Sequence, residues 1–574
     1  MSRVAGWICL SAVLAIRAHG ETLSITLTAP PPVIDGTANG SRVIMAGFHS
    51  SGGPGQPDLP AQVFRIAVPP DIDWTTLKVR GIQGEGQALA LPAAVAPATP
   101  DLAGAPGGVP AGFGAATNIV NGRDMDVYSL AAPYPASPVR LLPYGQMRKW
   151  KYAQVEFSPV QWNPATGAAQ FWPKVQVELE FERSVPVADD ALLADHAMDD
   201  MAETLLINFE QAAAWYAPTA KAQAEAEKSF VANYLIVTTT AITNNCPKLQ
   251  EFIANKTALG NTVAVITETD FNAVVGQAPN HRAEKIRKWL MDHYISWGFS
   301  YVLLIGNPTP YENGEGDIPM KMTWPKWSDA GDREAPTDMF YGDLTGNWDI
   351  NGNQIYGEWS DYTTAGGVNL TPEVYVGRIP VYGADYNGLR DVLQKIMDFD
   401  NEANVAWRKN SLLPMSVSGA GYDGAPLAEQ MWDDYLSARG YGRWRQYEQG
   451  NGACSPNSAY ASDQELRGGN TVRDRWAAND YGIVCWWAHG NVDVAAVGYD
   501  GCWDGDLFKS SMTGSLDDNH PSFTFQCSCL NGYPEQSNNL QYQLLRRGAI
   551  GTVSSSRVSF SIPPMGTARS TGHR

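Results

Sequence analysis

At 574 residues the chain has room for two to four domains and can bury a large core. Sixty acidic side chains against 41 basic ones give a formal charge of −19. That argues against nucleic acid as a partner, because phosphate binding requires clustered Lys and Arg. After the N-terminus no run reaches eighteen apolar residues, so no transmembrane segment is expected.

The start, Met1-Ser2-Arg3 followed by the apolar run Val4–Ile16 and Ala18-His19-Gly20, reads as a signal peptide over residues 1–20. The protein is therefore expected to be secreted. Residues 21–184 are rich in Pro, Gly, Val and Ala. They contain alternating stretches such as Val175–Glu182, the pattern of a half-exposed antiparallel strand, and predict a β-sandwich prodomain. Leu91–Ala115 is Ala/Pro/Gly-rich and reads as a flexible loop. Over 185–229 the composition shifts to Ala, Asp, Glu and Leu. Within it Lys221–Lys228 is helix-prone with no large apolar residue to bury, so the segment is expected to be an exposed helical linker open to processing.

From Tyr234 the pattern becomes β-α-β, which predicts α/β units over 230–400 and 401–574. Strands are expected at Tyr234–Thr238, Thr262–Ile266 and Tyr301–Ile305, with helices at Cys246–Leu259 and Arg282–Trp297. A second unit follows with a strand at Val374–Val376 and helices at Asp385–Glu402 and Leu427–Arg439. Strands alternating with helices imply parallel sheets with right-handed crossovers.

Two passages forty residues apart then carry the chemistry. Ile483–Trp487 is an apolar run delivering Ala488-His489-Gly490, and Phe523–Cys527 delivers Ser528-Cys529-Leu530-Asn531-Gly532. Each reads as a buried strand stopped by a glycine-bearing loop. If the strands are parallel neighbours, His489 and Cys529 leave the sheet at one carboxyl edge, where α/β sheets bind ligands. A buried Cys is ordinarily a small hydrophobe and a His beside Gly an ordinary loop residue. Together at two strand exits they read as general base and thiolate nucleophile.

The order strand, His-Gly, long loop, strand, Cys-Leu-Asn-Gly resembles the gingipain family of cysteine peptidases, whose catalytic domain is caspase-like. Tyr301–Gly306, Asp317-Ile318-Pro319, Glu373–Pro380 and Gly551-Thr552-Val553 add to the resemblance, which covers roughly 229–565, and Gly55–Pro60 looks like a motif of the family's propeptide. It implies two α/β subdomains side by side and an enzyme made as a zymogen that acts on protein or peptide substrates. Its own propeptide, 21 to about 184, would cover the active-site edge until cut between Ala217 and Ser229. It also implies a catalytic domain that continues beyond Arg574, so the chain is expected to be truncated.

Cys529 sits where the family's nucleophile lies, whereas Cys527 is inside the strand and reads as packing. The N–H groups of Gly490 and Cys529 would form the oxyanion hole. The family's third, acidic residue would fall after Leu412–Val417, but the chain reads Ser416-Val417-Ser418-Gly419-Ala420-Gly421 there. Either Asp423 substitutes, or a backbone carbonyl orients the imidazole, or the site is a bare dyad. Asp423 and Phe560 are the candidates for the specificity pocket. Asp349, Asn351, Asn353 and Glu358 offer oxygen ligands in one loop and suggest structural calcium; the alternative is an Asn-Gly turn with no ion. Cys454 and Cys502 are one possible bridge that spacing cannot decide. The nineteen Trp residues raise a different reading, a carbohydrate-binding or catalytically silent adhesin, with Trp324, Trp327, Trp348 and Trp359 in loops where they would stack on sugars.

Overall fold

The computed structural model describes residues 14–17, 20–37, 39–50, 55–98, 118–183, 190–325, 334–419, 422–454, 456–499 and 501–559. Phe560 and Trp327 lie outside them, as do 99–115 of the expected flexible loop.

The N-terminal unit is two antiparallel sheets around one core. Gly20–Thr28, Lys174–Arg183 and Ile72–Gln83 form one sheet, whose edge Leu14–Arg17 lies inside the expected signal peptide. Val139–Met147, Trp150–Phe157 and Pro60–Ala67 form most of the other. Alternation does the work here: Val175, Val177, Leu179 and Phe181 turn inward against Leu23, Ile25, Ile66, Val155 and Phe157. Leu91–Ala98 is anchored rather than loose, with Val95 buried and Ala96 N–H bonded to Ser41 O.

The segment 190–216 is not an exposed linker. Its short helices place Leu193, Met198, Ala202, Leu206, Ala212 and Tyr216 against Ala67, Met147, Trp150 and Tyr152. Alanine- and leucine-rich turns of this kind have an apolar face, and the edge of the sandwich covers it. Among the described side chains, Ala217–Thr219 and the helix Ala220–Ser229 up to Glu225 keep the expected character, although Ala222 is buried.

Two parallel sheets follow. The first runs Val263–Ile266, Tyr234–Val237, Tyr301–Gly306, Tyr375–Pro380. The second runs Gln464–Glu465, Gly442–Tyr447, Asn410–Met415, Ile483–Trp487, Ser522–Cys527, Ala549–Ser554. Helix Arg282–Trp297 stops at Gly298, whose φ of 84° suits glycine. The helix expected over 246–259 begins only at Lys248, because Pro247 has no N–H to continue the turn from Thr240–Asn245. Likewise the α-helix expected over 427–439 is Ala425–Met431, followed by a wider turn and then a tighter one up to Gly440. Helix Tyr386–Asn401 ties the units together: Leu389 and Leu393 pack with Leu545, and buried Lys395 donates to Leu545 O (2.7 Å) and Asp518 (3.0 Å).

Candidate active site

The histidine and cysteine strands are adjacent and parallel, with Trp487 opposite Cys527. His489 and Cys529 each stand two residues past that pair, so both emerge from the same edge at the same level. Neighbouring strands lie about 4.8 Å apart. The two loops also touch: a Cβ added to Gly490 would lie 2.3 Å from Cys529 O and 2.6 Å from Cys529 N. Only glycine fits there, and its backbone lies against the Cys529 peptide, where an oxyanion hole is expected.

The cysteine is held in a sharp turn. Leu530 has φ of 61°, uncommon for a branched residue. Its N–H donates to Arg557 O (3.0 Å), and Arg557 is in turn paired with Glu535 at 2.6 Å. Asn531 is fully buried and donates to Asn491 O (2.5 Å) and Val494 O (3.0 Å), which joins the cysteine loop to the histidine loop. Trp486 Nε1 donates to Ser528 Oγ (3.0 Å), and Ser528 Oγ donates to Asn531 Oδ1. Cys529 is 7% exposed, with Sγ 3.7 Å from both Ser559 O and Ser559 Oγ. Cys527 faces the interior beside Cys485. Burial pushes the Cys485 thiol up to about 12 and holds the Cys527 thiol well above its ordinary value, so neither is a ready thiolate.

His489 Nε2 lies 3.3 Å from Ser418 O. A carbonyl only accepts, so Nε2 carries the proton and the lone pair of the neutral ring is on Nδ1. Of the three alternatives for orienting the ring, this arrangement matches the backbone carbonyl. Asp423 is engaged elsewhere, accepting from Ser458 Oγ (2.6 Å) and Ala425 N–H (2.9 Å). Trp503 meets the imidazole edge-on at 5.1 Å. Its neighbour Cys502 is bonded to Cys454, so that disulfide ties the hairpin beside His489 to the loop after Gly442–Tyr447.

Sequence reasoning missed Glu448. This buried carboxyl accepts from Ser416 Oγ (2.9 Å) and Val417 N–H (2.5 Å), at the base of the loop whose Ser418 carbonyl holds His489. Burial pushes it up to about 7. Its only signal was a lone acid after a strand.

Asp349, Asn351, Asn353 and Glu358 share one loop. The amides of Asn351 (2.5 Å) and Asn353 (3.0 Å) converge on Glu358 Oε1, and Asp349 Oδ2 accepts from Gln354 N–H (3.1 Å). Asp349 Oδ1 is buried without a hydrogen-bond partner, as a cation ligand would be. Among the described residues no three His, Cys, Asp or Glu side chains are grouped to hold a metal ion. Trp348 is fully buried and cannot stack on a sugar.

His489 and Cys529 thus stand at the ends of adjacent parallel strands, beside a glycine whose backbone lies against the Cys529 peptide. The chain belongs to Peptidase family C25, whose family model matches residues 227–572, and the Propeptide_C25 family matches 39–215. Among solved structures, the Arg-specific cysteine proteinase gingipain R is 18% identical with a TM-score of 0.40, over 58% of this chain and 65% of that one. A complex of Porphyromonas gingivalis RgpB pro- and mature domains is 15% identical with a TM-score of 0.26, over 35% of this chain and 97% of that one. A structure on zymogenic latency of gingipain K from Porphyromonas gingivalis is 17% identical with a TM-score of 0.23, over 32% and 98%. No curated protein matches the chain.

Proposed function

We propose that the protein is a secreted cysteine endopeptidase made as a zymogen. The observation that carries this reading is the matched exit of His489 and Cys529 past the Trp487–Cys527 pair, with Gly490 against the Cys529 peptide. In the reaction His489 Nδ1 takes the thiol proton while Nε2–H stays on Ser418 O. The thiolate attacks the scissile carbonyl, and the N–H groups of Gly490 and Cys529 receive the oxyanion. The imidazolium returns the proton to the leaving amine, and water then hydrolyses the thioester. Asp423 and Phe560 are proposed for the specificity pocket.

Export is supported by the Cys454–Cys502 bridge, since disulfides persist in oxidising compartments. Calcium at the loop of Asp349, Asn351, Asn353 and Glu358 is supported by the unpartnered Asp349 Oδ1. Calcium should raise the melting temperature more than magnesium, and an unchanged melting temperature in EGTA would remove the site. Processing is proposed in the exposed stretch from Ala217, with Lys221 and Lys228 as cut positions, and N-terminal sequencing of the secreted form locates it.

The deciding experiment pairs peptide-library cleavage with iodoacetamide labelling. Hydrolysis together with one hyper-reactive thiol at Cys529 is expected. Uniformly slow labelling with no cleavage after removal of the N-terminal unit would favour a silent adhesin.

A further inference from the structure

The hairpin Val494–Tyr499/Cys502–Lys509 pairs with the short strand that carries His489, and its two faces differ. Ala495, Val497, Leu507 and Phe508 turn inward to the core. On the outer face His489 lies opposite Ala496, and Gly498 lies opposite Trp503. Paired residues, and residues two apart on one strand, share a face of a sheet. The imidazole and the indole therefore stand on the same side, over a floor of Ala496 and Gly498.

Trp503 is 58% exposed, although Trp476, Trp486 and Trp487 of the same unit are buried. A singly exposed apolar side chain is ordinary on an open surface. This one is fixed from three directions. Its ring lies over Gly498, where an added Cβ would stand 2.7 Å from Cε3 and 3.0 Å from Cζ3, so glycine lets the indole lie down. The residue before it, Cys502, is bonded to Cys454. The residue after it, Asp504, accepts from Ala453 N–H (2.7 Å) and Gly468 N–H (3.3 Å), and a Cβ at Gly468 would meet Asp504 O at 1.7 Å. A large aromatic surface held in place and open to water is well suited to recognition. Its neighbour says which part of a substrate it meets: the ring lies 5.1 Å from the His489 imidazole. His489 returns its proton to the leaving amine, and the departing chain begins at that nitrogen.

We infer that Trp503 is a specificity-determining residue whose indole, over the floor of Ala496 and Gly498, receives a large apolar side chain from the substrate residue just after the scissile bond. The small floor residues leave room for a branched or aromatic group. The acids of this strand are already partnered, Asp504 by backbone N–H groups and Asp506 by Lys509 Nζ (2.6 Å), which favours an apolar occupant over a cationic one. The inference rests on the cysteine endopeptidase reading and names a substrate preference of that same site.

Quenched fluorescent peptides that differ only in the residue after the cleaved bond (Gly, Ala, Leu, Phe, Lys or Glu) are given to the secreted enzyme and its variants, and a second set varies the residue before the bond. The parent should cleave the Leu and Phe peptides roughly 10-fold better in kcat/KM than the Gly peptide, the scale of one apolar contact site. Trp503→Ala should collapse that ratio towards one, mainly through KM, and Trp503→Phe should restore part of it. An equal loss of kcat on every peptide with the ratio kept would mean that Trp503 only steadies His489, and would overturn the inference. So would a Trp503→Ala effect confined to the second set, or a parent that favours Lys or Glu after the bond. A parent that cleaves the whole first set alike sinks this inference alone. A parent that cleaves no peptide and has no hyper-reactive Cys529 sinks the endopeptidase reading and this inference with it.

Discussion

The two sheets share parallel strands and a β-α-β plan, and among the described residues the second brings a histidine and a cysteine to its carboxyl edge. In the first sheet that edge is closed by its own polar contacts. Thr238 Oγ1 donates to Ile305 O (3.0 Å), Asn307 N–H donates to Asp317 Oδ1 (2.5 Å), and Arg378 is clamped by both oxygens of Asp338 at 2.7 Å. In the second, the corresponding strand ends deliver His489 and Cys529, with Gly490 against the cysteine backbone. A parallel sheet supplies an edge and a direction. The side chains at the strand exits decide whether anything happens there. At the other end of the first unit the carbonyls of Tyr294, Phe299 and Glu373 hold Arg148 of the N-terminal unit.

The largest contrast between the sheets should come from the nucleophile. Cys529→Ala is expected to abolish hydrolysis of a fluorogenic peptide, while Thr238→Ala at the first sheet's edge leaves turnover near the parent. His489→Ala should cost about 10² to 10⁴ in kcat, the share of positioned acid–base catalysis, and full activity would remove the dyad.

The glycines sharpen the same contrast. Gly490→Ala forces a methyl to within 2.3 Å of a backbone oxygen and should lower kcat by roughly 10², the cost of losing one oxyanion donor. Gly377→Ala in the first sheet meets nothing nearer than Leu303 Cδ1 at 3.8 Å and should leave kcat unchanged.

Both units bury acids that prefer to be neutral. Burial lifts Glu448 to about 7, and burial beside Asp343 lifts Glu373 to about 8. A carboxyl raised in the folded state binds more protons there than in the unfolded chain, so stability falls as pH rises from the ordinary carboxyl range to the raised value. Thermal melts should decline from pH 4.5 towards about 8. Glu448→Gln is expected to lessen the slope only below about 7, where Glu373 keeps its own share, and a slope untouched by the substitution would exclude Glu448 as a source. The smallest effect is expected at Cys527→Ala, which should keep most activity because that side chain packs inward beside Cys485. A dead Cys527→Ala enzyme beside an active Cys529→Ala one would reverse the assignment.

Much of the candidate site's placement was legible because strand exits leave a local signature: a short apolar run, then a His or Cys and a glycine. Ile483–Gly490 and Phe523–Gly532 show it, and the β-α-β order implied the parallel neighbours that bring them together. The sandwich was legible from strict alternation such as Val175–Glu182, and helix Arg282–Trp297 from periodicity closed by Gly298. Contacts between segments distant in the chain leave no such mark. Ser418 O on His489 spans 71 positions, Glu448 under Ser416 spans 32, and Arg148 on Glu373 O spans 225. Each depends on a backbone atom, which every residue possesses, or on a lone polar side chain whose burial only the packed chain creates. Composition also misjudged 190–216, because whether an Ala/Leu turn is exposed depends on what lies beside it. The chain's local pattern determined the elements and the candidate pair; which carbonyl meets the imidazole, and where the N-terminal unit docks, were decided by tertiary structure, because hydrogen bonds to backbone atoms are specified by position and not by residue type.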